Sequence, residues 1–376
     1  MGQLLDDASV AERVLQHIDN GTTDLSETSW LEPVENYRSW DRFQAELELL
    51  RRLPVPFCPS ASLPDAGCYV ARTAAGTPIV VVRDETGTVR GFRNACRHRG
   101  MQVAQGSGCA RFFTCSYHGW TYRLDGGLHH IPHREGFPGL DVNDHSLVPV
   151  SVTERHGLVF VTQDEPVSSG ALNGLDGIAP IIDTSQRVFA ASESESDVNW
   201  KLNLESNLEG YHIRTTHPES FYPYGYDNLN VVETFGNNAR VTFPFRRIEK
   251  LRDTAPGKRD VSGKLTYVYH LFPNVIIAVL SSHTAMSISE PVSPTQTRFV
   301  SYRMTNAASE DSAIDLERAK RDAEFVASGS AQEDAVAVSA IQQGLGSGAN
   351  DHFTFGKFEK AIVHFHQCLT DSLQRL

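Results

Sequence analysis

The stretch from residue 94 to residue 120 reads NACRHRGMQVAQGSGCARFFTCSYHGW and contains two short arms, each with one cysteine and one histidine. The first arm pairs Cys96 with His98, and the second, after sixteen intervening residues, pairs Cys115 with His118. Each arm follows a β-like segment, so we expect both arms to be loops at the ends of strands. Two thiolates and two imidazoles that converge from two loops predict a metal site.

Three explanations of this four-residue pattern compete. A structural zinc site uses cysteine and histidine, but its arms usually space the ligands by about two to four residues, which is wider than the first arm. Chance explains any single one of these residues more easily than all four together. A Rieske [2Fe–2S] centre, in which two cysteines hold one iron and two histidines the other, fits best. Nearby glycines allow close backbone approach and nearby cations offset the cluster charge: Gly100, Gly106, Gly108 and Gly119, with Arg97 and Arg99.

The composition excludes several classes of protein. The chain has 376 residues, and 46 acidic against 34 basic side chains give a net charge of −12, unlike the basic footprint of a nucleic-acid-binding protein. No apolar run approaches the roughly 20 residues that cross a membrane, so no membrane partner is expected. The first residues lack a secretory pattern, so we expect a cytoplasmic protein with reduced thiols. Cys109 is therefore interpreted as an ordinary thiol, and Cys58, Cys68 and Cys368 as small apolar packing residues.

Local patterns divide the chain into an N-terminal helical segment (1–50), a β-rich domain (51–165) and a last domain (166–376). Helical periodicity marks residues 10–18 and 40–50. In the β-rich domain, residues 77–83 and 88–94 predict a hairpin and residues 156–163 a third strand. In the last domain, strands alternate with helices in a pattern typical of an α+β fold, an antiparallel sheet flanked by helices. The predicted strands are 230–235, 239–245, 266–271, 274–281 and 298–305, and the predicted helices are 311–328, 332–343 and 358–373.

A second group of metal-ligating residues lies in the last domain. An apolar stripe over residues 198–212 predicts one amphipathic helix, on which Glu209 and His212 share a face. His217 precedes a proline and is expected just past the helix end. Two histidines and one carboxylate form the facial triad of non-haem Fe(II) oxygenases, which leaves positions open for O₂ and substrate. The histidine pair alone is weak evidence, and its carboxylate comes from this segment or from elsewhere in the chain. The stripe consists of Trp200, Leu204, Leu208 and Tyr211.

With the two patterns in this order, the sequence resembles the α subunit of a Rieske non-haem iron oxygenase, the family of aromatic-ring-hydroxylating dioxygenases and several monooxygenases and demethylases. The resemblance includes NACRHRG (94–100), CSYHGW (115–120), NWK (199–201), EGYH (209–212) and QED (332–334). It implies an N-terminal Rieske [2Fe–2S] β domain and a C-terminal catalytic domain of the helix-grip type. It also implies the ligands, which are Cys96, His98, Cys115 and His118 for the cluster and His212, His217 and Asp334 for the mononuclear iron.

The resemblance also implies partners. Glu209 occupies the place of an acidic residue that, in the family, relays electrons from a Rieske histidine of the neighbouring subunit. Such a relay needs α chains arranged head to tail, which implies a homotrimer or a trimer-based assembly. The electrons are expected from NAD(P)H through a separate reductase or a ferredoxin. Asn207 and Glu205 are candidates for orienting an iron-bound histidine.

The implied activity is that of an oxygenase component that activates O₂ at Fe(II) and hydroxylates an aromatic or similar small organic substrate. One alternative is a monooxygenase or N-demethylase of an amine or quaternary ammonium compound, because a glutamate at position 209 is similar to the carnitine-type enzymes. Another is a Rieske electron carrier without oxygenase activity. Aromatic side chains suit a ring or a quaternary ammonium group, and arginines suit a carboxylate, although sheet core and solvated surface explain them equally well. These side chains are Phe221, Tyr222, Tyr224, Tyr226, Tyr267, Tyr269 and Phe272, with Arg214, Arg246, Arg247 and Arg298.

Overall fold

The computed structural model describes residues 4–306 and 312–376, and its first elements are two helices on either side of a short strand. These are α1 (Asp7–Asn20), β1 (Trp30–Pro33) and α2 (Trp40–Arg51). The carboxylate of Asp6 caps α1 by accepting a hydrogen bond from the backbone N–H of Ser9 (2.8 Å). Both predicted N-terminal helices are confirmed.

The chain divides into two compact units, and one of them covers Leu50–Pro166 and Pro180–Thr184. Its larger sheet is antiparallel, with the strand order β2-β11-β10-β5-β4-β3-β6, and β7, β8 and β9 form a smaller sheet. The predicted hairpin is β4–β5, and the predicted third strand is β11. The strands are β2 (Val55–Pro59), β3 (Cys68–Ala74), β4 (Thr77–Arg83), β5 (Val89–Arg93), β6 (Gly106–Cys109), β7 (Phe113–Thr114), β8 (Thr121–Tyr122), β9 (Leu128–His130), β10 (Pro149–Arg155) and β11 (Leu158–Thr162).

A disulfide joins Cys68 on β3 to Cys109 on β6. The antiparallel register of the two strands makes these residues direct partners. The expectation that Cys109 is an ordinary thiol, that Cys68 packs as a small apolar residue and that both stay reduced is therefore wrong. The pairing depends on strand register, which the separation of the two cysteines along the chain does not reveal.

The other unit combines the elements up to Leu49 with Val167–Ala179 and Ser185–Leu376. Its main sheet is antiparallel, with the order β12-β18-β17-β16-β15-β14-β13, and β19 pairs with β1. The elements are β12 (Val188–Ser196), α3 (Trp200–Ser206), α4 (Ile213–Thr216), β13 (Val231–Phe235), β14 (Asn238–Pro244), β15 (Leu265–Leu271), β16 (Val275–Val279), β17 (His283–Ser293), β18 (Gln296–Thr305), α5 (Ser312–Ser328), α6 (Ser330–Gly344), β19 (His352–Phe355) and α7 (Lys360–Leu373).

Most of the predicted elements of this unit are confirmed, which makes it the expected α+β fold. The sequence patterns missed β1, β12, β17 and β19. The start predicted for α5 at residue 311 lies outside the described residues. Helix α7 packs on β13 and β14, and α5 packs on β17 and β18. None of the helices in the described ranges is long and apolar enough to cross a membrane.

The single helix predicted over residues 198–212 is wrong. Helix α3 ends at Ser206, and α4 begins only at Ile213. Gly210 lies in the break, where a Cβ atom would come within 2.6 Å of the Oδ1 atom of Asn230, so the backbone passes too close for a side chain. Tyr211, assigned to the apolar stripe, is 57% exposed.

Candidate metal centres and substrate cavity

The two cysteine–histidine arms adopt the same closed turn. In the first arm, the backbone N–H of Gly100 donates to the carbonyl of Cys96 (2.8 Å), and the N–H of Cys96 donates to the carbonyl of Met101 (2.7 Å). In the second arm, the N–H of Gly119 donates to the carbonyl of Cys115 (2.9 Å). The N–H of Cys115 donates in turn to the carbonyl of Trp120, as the N–H of Cys96 does to Met101. Both glycines have φ near +80° (+80° and +76°), a conformation that side chains rarely tolerate. The turns explain why each arm ends in glycine.

The four predicted cluster residues lie together. Both cysteines are buried, and burial beside Cys115 raises the pKa of the Cys96 thiol. The rings of His98 and His118 have centroids 4.7 Å apart. Burial and the neighbouring cations lower the pKa of His98, which favours the neutral imidazole that a metal binds. Two buried cysteines next to two imidazoles fit a metal cluster.

The second group forms around the short helix α4. His212 lies at its beginning and His217 at its end, and the N–H of Thr216 donates to the carbonyl of His212 (2.8 Å). The remote helix α6 brings Asp334 to them, with its Oδ1 atom 3.0 Å from Nε2 of His217 and 3.5 Å from Nε2 of His212. One ligand atom of each of the three residues lies within 4.8 Å of the others, so they could hold a metal ion.

A carboxylate contacts the outer nitrogen of each imidazole. Nδ1 of His212 contacts Glu209, and Nδ1 of His217 lies 2.7 Å from Oε2 of Glu333, which also accepts from the hydroxyl of Ser220. Metal-bound histidines usually have such partners, which fix the ring orientation. Although burial opposes protonation, Asp334 and Glu209 raise the pKa of His212 to about 10. Three carboxylates around two imidazoles favour a cation at this point, so the donor set fits a divalent metal.

Asn207 and Glu205, the residues predicted to orient an iron-bound histidine, have their described hydrogen bonds elsewhere. Asn207 donates to the carbonyl of Asn203 (2.8 Å), and Glu205 contacts Tyr37 and His366. The Nδ1 atoms of the two imidazoles instead contact Glu209 and Glu333. The sequence contains no signal for Glu333 beyond its position beside Asp334.

His212, His217 and Asp334 line a cavity of about 850 Å³. Of the predicted aromatic residues, Phe221 and Tyr224 line it. Phe272, in contrast, is fully buried, and the Tyr267 hydroxyl donates to Asp7 (2.7 Å). Among the predicted arginines, Arg298 instead pairs with Glu195 (2.7 Å). Further lining residues that are aromatic or basic are Phe243, Phe245, Phe325, Arg246, Arg247 and Arg303.

A second cavity of about 400 Å³ also reaches His212 and Asp334. Three glutamates line it, namely Glu205, Glu209 and Glu359. Burial, together with the charges of Glu209 and Glu205, raises the pKa of Glu359 to about 7, although the backbone N–H of Gly356 opposes this by donating to it. Acidic side chains are therefore concentrated on this side of the histidine pair.

Two models of known protein families match this chain. Residues 54–152 match the model of the Rieske [2Fe-2S] domain, and residues 184–375 match that of the ring hydroxylating alpha subunit (catalytic domain). The chain belongs to the Rieske non-haem iron oxygenases, as an α subunit. Its cofactors are a Rieske [2Fe–2S] cluster and a mononuclear iron.

Similar proteins include the glycine betaine monooxygenase oxygenase subunit of Chromohalobacter salexigens, 37% identical over 43% of this chain and 37% of that protein. The carnitine monooxygenase oxygenase subunit of Escherichia coli is 32% identical over 50% of this chain and 53% of that protein. The chain thus spans about a third to a half of the length of these relatives. A crystal structure of a quaternary ammonium Rieske monooxygenase covers 100% of this chain and 99% of its own, with a TM-score of 0.77 and 22% identity. Naphthalene 1,2-dioxygenase from Rhodococcus sp. shares the fold, with a TM-score of 0.75, 19% identity and coverage of 98% and 99%.

Proposed function

We propose that the chain is the oxygenase component of a monooxygenase that oxidises a methyl group on a quaternary ammonium compound. The observation that carries an oxygenase function is the convergence of His212, His217 and Asp334 on the wall of a cavity of about 850 Å³. Support for the substrate class comes from the relatives, which include oxygenase subunits of glycine betaine and carnitine monooxygenases. The glutamate at position 209 and the aromatic cavity wall are consistent with that class.

In this proposal Cys96, Cys115, His98 and His118 hold the cluster, and His212, His217 and Asp334 hold the iron. When bound, the cluster supplies electrons one at a time and the iron supplies oxygen activation. Glu209 and Glu333 hold the Nδ1 protons of the two iron histidines, which leaves both Nε2 atoms free to bind the metal. The apolar part of the cavity wall excludes water and positions the substrate.

The overall reaction consumes one O₂, two electrons and two protons. One C–H bond of the N-methyl group and the O–O bond break, a C–O bond forms, and the second oxygen leaves as water. The hydroxymethyl ammonium product then loses its C–N bond to give a tertiary amine, formaldehyde and a proton. NAD(P)H is the ultimate reductant, through a separate reductase or ferredoxin. A cytoplasmic location, where NAD(P)H is available, is part of the proposal.

We also propose that Glu209 relays electrons and that the chain works as a homotrimer or a trimer-based assembly. The contact between Glu209 and His212 supports the relay, because it links the second cavity to a proposed iron ligand. Glu209→Ala should leave both metals bound but slow the substrate-dependent reoxidation of the reduced cluster by O₂. Glu359→Gln, a change in the same cavity, serves as the control. A wild-type reoxidation rate in Glu209→Ala would contradict the relay.

Three measurements test the oxygenase function. Anaerobically purified protein should contain iron and, after reduction, show a Rieske-type EPR signal. With a surrogate reductase, quaternary ammonium compounds should stimulate O₂ uptake and release one formaldehyde per O₂ consumed. Zinc in place of iron would refute the metal assignment. Ring hydroxylation of aromatic substrates without formaldehyde release would favour the second candidate function, aromatic hydroxylation, which the phenylalanine-rich cavity wall supports.

Electron transfer without oxygenase activity is the remaining alternative. A pure electron carrier needs neither three converging iron ligands nor a cavity beside them, and both are features of this chain. Absence of O₂ uptake with every substrate tested, in protein that retains both metals, would favour the carrier function.

A further inference from the structure

One arginine stands in a row of small and apolar residues on the cavity side of the main sheet. The strand register aligns Val268 with Ala278, Ala278 with Ala285, and Ala285 with Arg303. All four residues line the large cavity. Ser301 lies two residues before Arg303 on the same strand and also faces the cavity. The small neighbours leave space around the only long side chain of this row.

The side chain of Arg303 has no hydrogen-bond or ion-pair partner within residues 4–306 and 312–376. Burial lowers the pKa of its guanidinium, and no carboxylate in the described part of the chain counteracts this effect. A partly desolvated cation without a counter-charge is costly in free energy, and an anionic ligand would offset that cost. A guanidinium also presents parallel N–H donors whose geometry matches a carboxylate.

The other charged groups of the cavity have partners of their own. Asp322 accepts hydrogen bonds from the backbone N–H of Ser282 (2.9 Å) and contacts Nδ1 of His283 (2.8 Å). Arg247 donates to the hydroxyl of Ser281 (3.3 Å). Asp334 faces the two iron histidines.

Arg246 lies over the rings of Tyr222 and Tyr226, 5.3 and 5.1 Å from their centroids. The arginines of the lining outnumber its aspartates, three to two, so the cavity favours a ligand that carries negative charge. Of the charged groups that line the cavity, Arg303 is the one available to bind such a ligand.

We propose that Arg303 binds a carboxylate of the substrate. Combined with the proposed function, on which the ammonium part rests, this assigns a zwitterionic substrate: a methylated nitrogen with a carboxylate on the same molecule. Arg303 is then a residue that determines specificity. It favours betaines over quaternary ammonium alcohols, which have no carboxylate.

Two matched pairs of compounds test the assignment. Glycine betaine and choline share a trimethylammonium group, but the first has a carboxylate where the second has a hydroxymethyl group. Benzoate and benzyl alcohol differ in the same way, with an aromatic ring as the shared group. Binding is measured by anaerobic calorimetry on the holoenzyme, and kcat/KM by coupled O₂ uptake. In at least one pair the carboxylate should bind more tightly to the wild type. If in neither pair it does, the proposal is wrong, whatever the variants do.

The variants locate the effect. Arg303→Gln should weaken binding of the preferred carboxylate by about 10–100-fold, the loss of one charge-assisted contact, and should leave its neutral partner unchanged. Arg303→Lys, which keeps the charge but not the fork of donors, should recover part of the loss. Arg298→Gln, on the same strand and paired with Glu195, is the control and should match the wild type. Unchanged cluster absorption and iron content exclude misfolding.

The outcomes separate this proposal from the proposed function. If benzoate binds in an Arg303-dependent way while glycine betaine and choline do not, the quaternary ammonium function is wrong and the carboxylate site stands. If choline and glycine betaine are oxidised equally well and Arg303→Gln changes neither, the carboxylate site is wrong and the function stands. Equal weakening of the carboxylate and its neutral partner would also overturn the proposal. Should Arg303→Gln fail to fold, the methyl ester of glycine betaine replaces it: equal binding of ester and acid to the wild type would overturn the carboxylate contact.

Discussion

The two metal-binding regions of this chain are built in opposite ways. The cluster arms are two copies of one closed turn, separated by a short stretch of chain and set in an apolar core that includes Phe113, Trp120 and Tyr122. The proposed iron site takes its ligands from both ends of a short helix and from a remote helix, α6. Local turn geometry fixes the first region, whereas tertiary packing fixes the second.

The surroundings of the histidines differ as well. His98 stacks on Trp120 with centroids 5.0 Å apart, and Tyr117 lies beside His118. Carboxylates, in contrast, contact both iron histidines. Cations near the cluster arms and carboxylates around the iron site are the complements expected for an anionic cluster and a divalent cation. Charge as well as ligand type therefore distinguishes the two regions.

Buried charge also supports the chain segment that leads into the iron site. Lys201, on α3, is fully buried, and its ammonium lies 2.8 Å from Oε1 of Glu46. Glu46 also accepts from the indole of Trp200 (2.8 Å) and from Arg42 (2.9 Å). The first cluster arm rests instead on a neutral side chain, Asn94, whose amide bonds the backbone of the following loop.

Removal of one metal ligand should show most clearly that the two metal-binding regions act independently. His212→Ala should abolish substrate turnover because one of the three proposed iron ligands is gone, while the Rieske EPR signal persists. Cys96→Ser should remove that signal and also abolish turnover, since no electrons arrive, while substrate binding persists. EPR, iron content and O₂ uptake on the same preparations check both changes. Loss of both metals in either variant would mean that the two sites are not independent.

Removal of the buried ammonium should have the next largest effect. Lys201→Met leaves Glu46 with Arg42 as its remaining cationic partner, so we expect a loss of about 3 kcal/mol in the free energy of unfolding. Denaturant titration followed by circular dichroism measures it. Lys320→Met, which removes an exposed lysine paired with Glu317, should cost at most about 0.5 kcal/mol. Similar losses in the two variants would contradict a special role of the buried pair.

A smaller effect is expected from the carboxylate behind His217. Glu333→Ala removes the partner of the Nδ1 atom and should weaken iron binding by about 10–100-fold without changing the cluster spectrum. Anaerobic Fe(II) titration of the apo iron site gives the affinity. Glu324→Ala, an exposed position on α5, is the control. Unchanged affinity in Glu333→Ala would show that the carboxylate does not orient the histidine.

The same contrast explains what the sequence could predict. The arms at residues 94–120 are local, so their spacing was sufficient to identify the site. Asp334 became a candidate only through the family resemblance, because no local pattern distinguishes it from the other acidic residues. The Cys68–Cys109 disulfide depends on strand register. The position of Arg303 in the cavity wall depends on the alignment of four strands, which the sequence does not reveal.

The missed elements have equally physical causes. Strand β12 is mostly exposed and has no apolar alternation to detect. The stripe predicted as one helix over residues 198–212 runs across a break at Gly210, where Asn230 lies too close for a side chain. Local periodicity therefore predicts elements whose burial is regular, and it fails where a distant contact decides the backbone.

The smallest effect should appear in the pH dependence of stability at the carboxylate-rich side of the iron site. The pKa of Glu359 is raised to about 7, so the folded state retains a proton that the unfolded state has already lost above its ordinary carboxyl pKa. Stability contributed by this group is therefore complete below about pH 4 and falls as the pH rises towards 7. Glu359→Gln keeps an acceptor for the N–H of Gly356 but cannot ionise.

The variant should consequently unfold about 2–4 °C higher than the wild type at pH 8 and at the same temperature as the wild type near pH 5. Thermal unfolding of the holoenzyme at both pH values measures this difference. Asp371→Asn, an exposed change on α7, controls for the general effect of charge. If Glu359→Gln stabilised the protein equally at both pH values, the neighbouring glutamates would not be responsible, and the carboxylates of the second cavity would not act as one electrostatic group.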